Sequence, residues 1–173
     1  MSTTNNTPTP TPTSTPQYNK PSILSPVRLL EKLSKIDEGS RENTPIPSTA
    51  TLLMITGMQS IGKNQKVAGE KLTKALEAAE KNKNQEELAA ALLGLGYFYI
   101  TTTDYDKSIQ LYNASLAIWK QIHGNDFIHL ADLILDIAKI YQCQNNEVEF
   151  KKTIESYQTL FKNNNKTPPT TCG

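Results

Sequence analysis

The chain has 173 residues, a formal net charge of +1 and 20% charged residues. This length suits one domain with a single hydrophobic core. A near-neutral charge gives no general attraction to nucleic acid or to an anionic membrane surface. No window approaches the run of about 20 apolar residues that a membrane-spanning helix needs. We therefore expect no nucleic-acid partner and no membrane span.

Cysteine usage indicates a reducing compartment. Cys143 and Cys172 are 29 residues apart (172 − 143), and the second lies in a polar stretch. This is not the dense pattern of a disulfide scaffold. The first residues show neither a secretory signal nor an Arg-rich transit peptide. We expect a cytoplasmic protein, with the nucleus as the second candidate.

Residues 1–24 are predicted to form a disordered Thr/Pro-rich tail. Residues 1–17 consist almost entirely of Thr, Pro, Ser and Asn. They cannot bury enough apolar surface to offset the entropy lost on ordering. Alternating Thr and Pro favour extended conformers, which suit a tether. A ligand for a proline-binding domain is the alternative.

A short amphipathic helix is predicted at residues 25–38. Ser25 is a suitable N-cap, Pro26 suits the first helical position, and Gly39 ends the segment. The apolar residues at helical spacing are Leu29, Leu30, Leu33 and Ile36. A helix of about a dozen residues is too short to be stable alone, so this one must dock on something. Residues 39–47 contain two prolines and are predicted to be a linker.

Residues 48–163 show successive helical patterns, and a disordered tail is predicted at 164–173. The predicted helices lie at about 49–60, 65–81, 85–101, 105–122, 127–143 and 147–162. Each break contains Gly, Asn or Asp, which cap helices or tolerate turn conformations. No segment combines period-two alternation with β-branched residues, so no sheet is expected. The predicted fold class is all-α, with helices paired through short turns.

The stretch 91–119 carries the clearest repeat pattern. Its residues Leu92, Leu95, Gly96 and Tyr99 fit the spacing W-x₂-L-G-x₂-Y, with Leu at the first place, and Ser108 and Tyr112 fit A-x₃-F. This pattern resembles the tetratricopeptide repeat. The resemblance implies a right-handed superhelical stack of antiparallel helix pairs. Small residues (Gly96, Ser108, Ser115) let the paired helices approach, and large ones (Tyr99, Tyr105, Tyr112) fill the gaps.

The same pattern returns 42 residues later (134 − 92), at Ile134, Ile137, Ala138 and Tyr141. In its second helix the equivalent places are taken by Phe150, Ile154 and Tyr157, which are larger than the family prefers and favour a terminal, capping repeat. Upstream, a first repeat is predicted with Leu52 and Ile55 in its first helix and Ala68, Leu72, Ala75 and Leu76 in its second. Three repeats meet the usual minimum for a stable stack.

The long repeat spacing is similar to that of kinesin light chains, since the ordinary repeat has about 34 residues. The join 122–126 resembles the Gly-containing loop between repeats of that subclass. It departs from the subclass at Phe127 and Ile128, where a His-Pro pair is usual.

No arrangement of residues indicates catalysis, a cofactor or a metal. His123 and His129 flank a turn, with Asp126 and Asp132 nearby. A metal site is the alternative, but turn and capping roles are favoured.

Other reactive side chains also favour structural interpretations. Asp132 and Asp136 stand four apart near a helix start, where the helix dipole favours negative charge, so a structural role is preferred to acid–base catalysis. Cys143 beside His129 lacks a third orienting group. Trp119 is expected to pack between repeats.

The resemblance implies that a partner binds in the concave groove lined by the first helix of each repeat. It places the groove positions at Leu93, Tyr97, Ile100, Leu135, Asp136, Lys139 and Gln142, with Met54 and Gly57 in the first repeat. Chaperone-tail binders of this family carry Lys and Asn where this chain has Leu93 and Tyr97. A helical or extended apolar peptide fits better. The alternative is that Leu93 and Tyr97 only pack against neighbouring helices.

The predicted function is therefore a non-catalytic adaptor or small scaffold subunit that binds another protein. In one variant of this function, the helix at 25–38 occupies the groove until it is displaced. Ser25 and Thr44 precede prolines, and their phosphorylation would regulate this displacement. The alternative is a structural module that self-associates through its terminal repeats, using an apolar C-terminal face at Phe150, Ile154 and Tyr157.

Overall fold

The computed structural model describes residues 48–169, and this range is helical with no strand. The helices are α1 Thr49–Ser60, α2 Gln65–Asn82, α3 Gln85–Thr101, α4 Tyr105–His123, α5 Ala131–Cys143 and α6 Glu147–Asn163. The all-α prediction is confirmed. The predictions for residues 1–24, 25–38 and 39–47, and for the last four residues including Cys172, lie outside the described residues.

Polar caps explain why the helix boundaries were predictable. Five helices begin directly after a side chain that accepts a hydrogen bond from a backbone N–H of the first turn, namely Ser48, Asn64, Asn84, Asp104 and Asn146. Such caps satisfy N–H groups that have no partner within the helix.

The helix predicted at 127–143 differs from the others at its start. Here a short 3-10 helix, Ile128–Leu130, precedes α5, which begins only at Ala131. Leu130 provides no side-chain cap for α5. The entry to α5 is therefore set by packing and not by a polar signal in the sequence.

The helices form three hairpins joined into a stack. The most extensive contacts are between α1 and α2, α3 and α4, and α5 and α6. The second helix of each hairpin then packs on the first helix of the next, α2 on α3 and α4 on α5. The short turns make the paired helices antiparallel. This is the arrangement predicted from the repeat.

In each of the first two hairpins, a glycine allows the two paired helices to approach each other closely. A Cβ atom on Gly96 would lie 2.6 Å from Cδ2 of Tyr112, and one on Gly57 would lie 2.8 Å from Cγ of Leu72. Beside this contact, Ser115 donates a buried hydrogen bond of 2.8 Å to the backbone oxygen of Ala89. The predicted packing of small against large residues is confirmed for Gly96 and Tyr112.

The register predicted for the first repeat is wrong by one residue. Gly57 plays the role of Gly96 at a spacing of 39 residues (96 − 57), so the residue equivalent to Leu92 is Leu53 and not Leu52. Leu52 and Ile55 consequently turn outward and are exposed. The pattern misled because apolar residues fill several adjacent positions of α1.

The apolar C-terminal face predicted at Phe150, Ile154 and Tyr157 is only partly exposed. Tyr157 is buried, and Phe150 and Ile154 are half-buried. The exposed side of α6 carries the polar residues Lys151, Lys152, Glu155 and Gln158, together with the apolar Val148, which is 75% exposed. Helix α6 therefore presents a largely polar surface at the end of the described stack, as a capping repeat does.

The predicted C-terminal tail is held at its first residue. The Nδ2 atom of Asn164 donates hydrogen bonds to the backbone oxygens of Asp126 and Leu160, at 2.7 and 2.8 Å. Asn163 also donates to the Asp126 carboxylate at 2.7 Å. These bonds fasten the end of α6 to the loop between α4 and α5.

Replacement of Gly96 by alanine tests the close approach. Alanine would favour the helix by about 1 kcal/mol in an open position, but here its Cβ meets the buried Tyr112 ring. We expect a net loss of about 1–3 kcal/mol in unfolding free energy, measured by chemical denaturation. The loss should shrink in a Tyr112→Leu background. A stabilised Gly96→Ala variant would contradict the steric constraint.

A reciprocal exchange tests backbone strain in the hairpin turns. Thr103 has φ 62° and its equivalent 42 residues later (145 − 103), Asn145, has φ 55°. β-Branched residues disfavour this left-handed region, whereas Asn tolerates it. We expect Thr103→Asn to raise the unfolding free energy by about 1 kcal/mol and Asn145→Thr to lower it similarly. Thermal unfolding would refute this if both exchanges shifted the midpoint in the same direction.

Candidate protein-binding groove

Repeat equivalence separates three faces on each first helix. Positions equivalent in α3 and α5 are 42 residues apart, so Tyr97 corresponds to Lys139 and Thr101 to Cys143. All four side chains are half-buried, and within each helix they lie on one stripe. We call this stripe the groove face. It lies between the faces that contact the preceding and the following repeats.

Some of the predicted groove residues are accessible at the surface, and the others are buried. Tyr97, Leu135 and Lys139 are half-buried and Gln142 is exposed, so a partner can contact them. The other predicted positions are buried within the chain, and these are Leu93, Ile100, Asp136, Met54 and Gly57. We therefore reduce the proposed contact set to the first four residues.

The buried positions are those that join one repeat to the next. Leu93 and Ile100 belong to the apolar cluster that also contains residues of α5. Their equivalents in α5 are Leu135, which is half-buried, and Gln142, which is exposed. In α1, Met54 occupies the position equivalent to Leu93. Its Cγ would lie 3.2 Å from a Cβ atom added to Gly94 of α3.

A polar cluster lies beneath the groove face between the second and third repeats. The Lys139 Nζ atom lies 3.4 Å from Oδ1 of the buried Asp136. Burial raises the pKa of Tyr112 well above its usual value, and the negative charge of Asp136 adds to the rise. Lys139 thus spans from a buried carboxylate to the accessible surface.

The packing of α3 against α5 differs from the packing of α1 against α3. Helices α1 and α3 pack directly against each other, while no comparable contact joins α3 and α5. Gly94 faces the preceding repeat in α3, and Asp136 stands at the equivalent place in α5 (136 − 94 = 42). A carboxylate in place of a glycine needs more room, which agrees with the lesser contact between α3 and α5.

Both predicted histidines belong to a row of aromatic rings in contact. His123 stacks on Trp119 with centroids 5.5 Å apart and on Phe127 at 4.4 Å. Phe127 in turn lies 5.1 Å from His129. Phe127 therefore separates the two histidines and packs the loop before α5. Among residues 48–169 no group of three or more His, Cys, Asp or Glu side chains converges as metal ligands would.

Cys143 does not have the environment of a nucleophile. Burial raises the pKa of its thiol above the usual value. A nucleophilic cysteine requires a lowered pKa, because the thiolate is the reactive form. The thiol is therefore suited to packing at the end of the groove face.

Sequence reasoning missed part of the groove face. Thr101, Asp132, Cys143 and Met58 occupy positions on the stripe defined by Tyr97 and Lys139, and all four are half-buried. The signal was present, because these residues lie four or seven places from Tyr97 or Lys139 or at the repeat spacing. For Met58 it also required the correct register of the first repeat, which the sequence pattern placed one residue off.

Comparison with known families agrees with this geometry. The sequence model of the tetratricopeptide repeat matches residues 87–149, which span nearly all of the second hairpin, helix α5 and the first three residues of α6. Residues 87–149 therefore match the tetratricopeptide repeat family. Repeats of this family generally mediate contacts between proteins. A search of curated proteins gives no match to the chain.

No helix within residues 48–169 combines the length and apolar character needed to cross a bilayer.

Alkaline unfolding tests the buried Tyr112. Its unfolded-state pKa is about 10, and its folded-state pKa is raised. Stability is therefore complete below pH 10 and falls as pH rises further, by up to about 1.4 kcal/mol per pH unit for one such group. We expect Tyr112→Phe to flatten this decline.

The matched control is Tyr157→Phe. Its pKa is raised less strongly, by burial and by Asp132, so the decline should flatten less. Unfolding free energies measured from pH 9 upward would check both variants. An unchanged slope for Tyr112→Phe would show that this hydroxyl ionises equally in both states.

Proposed function

We propose that the chain is a non-catalytic adaptor or small scaffold subunit that binds a partner peptide or helix through the groove face. The observation that supports this is the accessibility of Tyr97 and Lys139 at equivalent places on successive first helices. Leu135 and Gln142 lie beside them on α5. A partner laid across the groove would contact both repeats at once.

The side chains suit an apolar peptide with a polar or acidic group. Tyr97 and Leu135 offer an aromatic ring and an aliphatic side chain, which favour burial of apolar residues of the partner. Lys139 keeps one ammonium near the surface while contacting Asp136. The Lys139 ammonium would donate a hydrogen bond to an acidic or carbonyl group of the partner. The half-buried ring of Tyr97 also contributes area at a small cost in side-chain entropy.

Recognition of a chaperone C-terminal carboxylate is not proposed. That mode requires a clamp of basic and Asn side chains, and this chain has Leu93 and Tyr97 at the corresponding places. Leu93 is moreover buried. Lys139 alone provides one cation, whereas a terminal carboxylate is usually held by several donors.

Neither catalysis nor a cofactor is part of the proposal. The raised pKa of the Cys143 thiol disfavours a nucleophilic role, and the two histidines are engaged in ring stacking. We propose the cytoplasm as the location, because free thiols persist in a reducing compartment.

Binding of selected peptides tests the groove. Peptides that bind the full chain would be isolated from a displayed library, and their affinities measured calorimetrically for wild type, Tyr97→Ala and Lys139→Gln. We expect each substitution to weaken binding at least about tenfold, a loss of about 1.4 kcal/mol. Glutamine is preferred to glutamate at 139, because a second carboxylate beside Asp136 would disturb the fold.

The matched control is Lys151→Gln on the exposed side of α6. It makes the same chemical change away from the groove and should leave affinity within about twofold, well under 1.4 kcal/mol. Circular dichroism and thermal unfolding would confirm that all variants are folded. Peptides whose affinity is unchanged by both groove substitutions would refute the groove as the binding site.

A further inference from the structure

One side of helix α1 carries apolar side chains that the rest of residues 48–169 leaves accessible. Leu52 is 49% exposed and Ile55 is 37% exposed, and the exposed Gln59 continues the same side of the helix. The spacing of three and then four residues places the three side chains on one face. We call Leu52, Ile55 and Gln59 the α1 end face.

The equivalent face of α3 is covered by the helix that precedes it in the chain. At the repeat spacing of 39 residues, the α1 end face corresponds to Ala91, Gly94 and Phe98. A Cβ on Gly94 would lie 3.3 Å from Leu72 of α2, and one on Gly69 of α2 would lie 3.0 Å from the Phe98 ring. Helix α2 therefore packs on this face of α3.

The equivalent face of α5 is covered in the same way. It consists of Leu133, Asp136 and Ile140, and all three are fully buried. The preceding helix α4 packs on α5, and the Asp136 charge acts on Tyr112 of α4. In both repeats, the helix that comes before the first helix covers this face.

The covering helix reaches its place through a short connection. Two residues (84 − 82) connect α2 to α3, and seven (130 − 123) connect α4 to α5. Before α1, nine residues (47 − 38) and the N-cap Ser48 follow the amphipathic pattern at 25–38. Nine residues extend to at most about 30 Å, whereas the 12 residues of α1 are about 18 Å long. The connection at 39–47 is therefore long enough for residues 25–38 to lie along α1.

We propose that residues 25–38 form a helix that packs antiparallel on the α1 end face of the same chain, in the place that α2 takes on α3. Leu29, Leu33 and Ile36 recur at helical spacing and would form the contacting side. Burial of these side chains stabilises a helix that is too short to be stable alone. The α1 end face loses its accessible apolar area at the same time.

The distribution of charge agrees with this packing. Helix α1 has no charged residue between Thr49 and Ser60. Between its apolar positions, the segment 25–38 carries three basic and three acidic residues, namely Arg28, Lys32, Lys35, Glu31, Asp37 and Glu38. The docked segment would therefore give α1 a polar cover without adding net charge. A polar outer surface is what a helical stack needs where it meets water.

Two other occupants fit the observations less well. A second copy of the chain must associate from solution, whereas a segment on a short tether acts at an effective concentration of about a millimolar. The groove face is the other site within reach, but it carries the charged side chains of Asp132 and Lys139. The uncharged α1 end face is the better match for the leucine-rich side of residues 25–38. The groove then stays accessible to a partner while this helix is docked.

Chemical cross-linking of the full chain tests the docking. With Cys143 and Cys172 replaced by serine, a short thiol cross-linker should join Leu33→Cys to Leu52→Cys within one chain. A second pair, Leu33→Cys with Gln142→Cys, places the second thiol on the groove side of α5 and should react at least about tenfold more slowly, because its effective concentration is lower.

The cross-linked products distinguish the three occupants. Links within one chain between positions 33 and 52 would support the proposal. Faster reaction of the 33–142 pair would place the segment in the groove, and links between chains whose yield rises with concentration would identify a second copy. Either of these results, or the absence of any link, would overturn the proposal.

Amide hydrogen exchange checks the same contact with the native cysteines in place. We expect amides of residues 25–38 to exchange at least about tenfold more slowly in wild type than in Leu52→Glu, because docking protects them. The controls are Tyr97→Ala on the groove face and Val148→Glu at a residue of α6 that is 75% exposed. Both should leave the exchange of residues 25–38 unchanged.

Protection of the helices within residues 48–169 should survive in Leu52→Glu, which separates loss of docking from unfolding. Exchange at 25–38 that is as fast in wild type as in Leu52→Glu would contradict the docking, and so would slowing that depends on Tyr97. The α1 end face and the groove face use different residues. Failure of this proposal therefore leaves the proposed peptide binding untouched, and loss of peptide binding leaves the docking untouched.

Discussion

The close approach of two helices at one small residue governs the rest of this structure. In the second hairpin the contact joins Gly96 to the ring of Tyr112, and in the first it joins Gly57 to Leu72. No side chain fits between the helices at that point, so their separation and rotation are fixed together. Once the rotation is fixed, every other residue of the first helix is assigned to a face. Ala138 keeps a small side chain at the equivalent place in the third hairpin.

The fixed rotation gives each first helix one face toward the preceding repeat, one toward the following repeat and one toward the groove. Equivalent residues then differ in role only through their neighbours. Leu93 is fully buried, whereas Leu135 at the same place is half-buried. Ile55 is exposed, whereas Asp136 at the equivalent place is fully buried. Among residues 48–169, the groove face is therefore a surface that remains accessible along successive repeats.

The success of helix prediction and its two failures have local explanations. Five helix starts were predicted because an Asn, Asp or Ser at each break caps the next helix, and capping depends only on residues a few places apart. The start of α5 was missed because a 3-10 helix precedes it and no polar cap marks it. The register of α1 slipped by one residue because Leu52 and Leu53 are both apolar, so periodicity alone could not choose between them.

The sequence by itself determined the helices, the turns between them and the small residues at which they meet, because these features rest on interactions within about one helical turn or within one repeat. Only the tertiary structure decided which of the predicted groove residues a partner can contact. Leu93, Ile100 and Asp136 carry the same signals as Tyr97 and Lys139 in the repeat pattern, yet they are buried. Burial depends on the helix that lies opposite in the next repeat, and that helix is distant in sequence. Accessibility at Tyr97, Leu135, Lys139 and Gln142 is therefore a property of the stack and not of any single repeat.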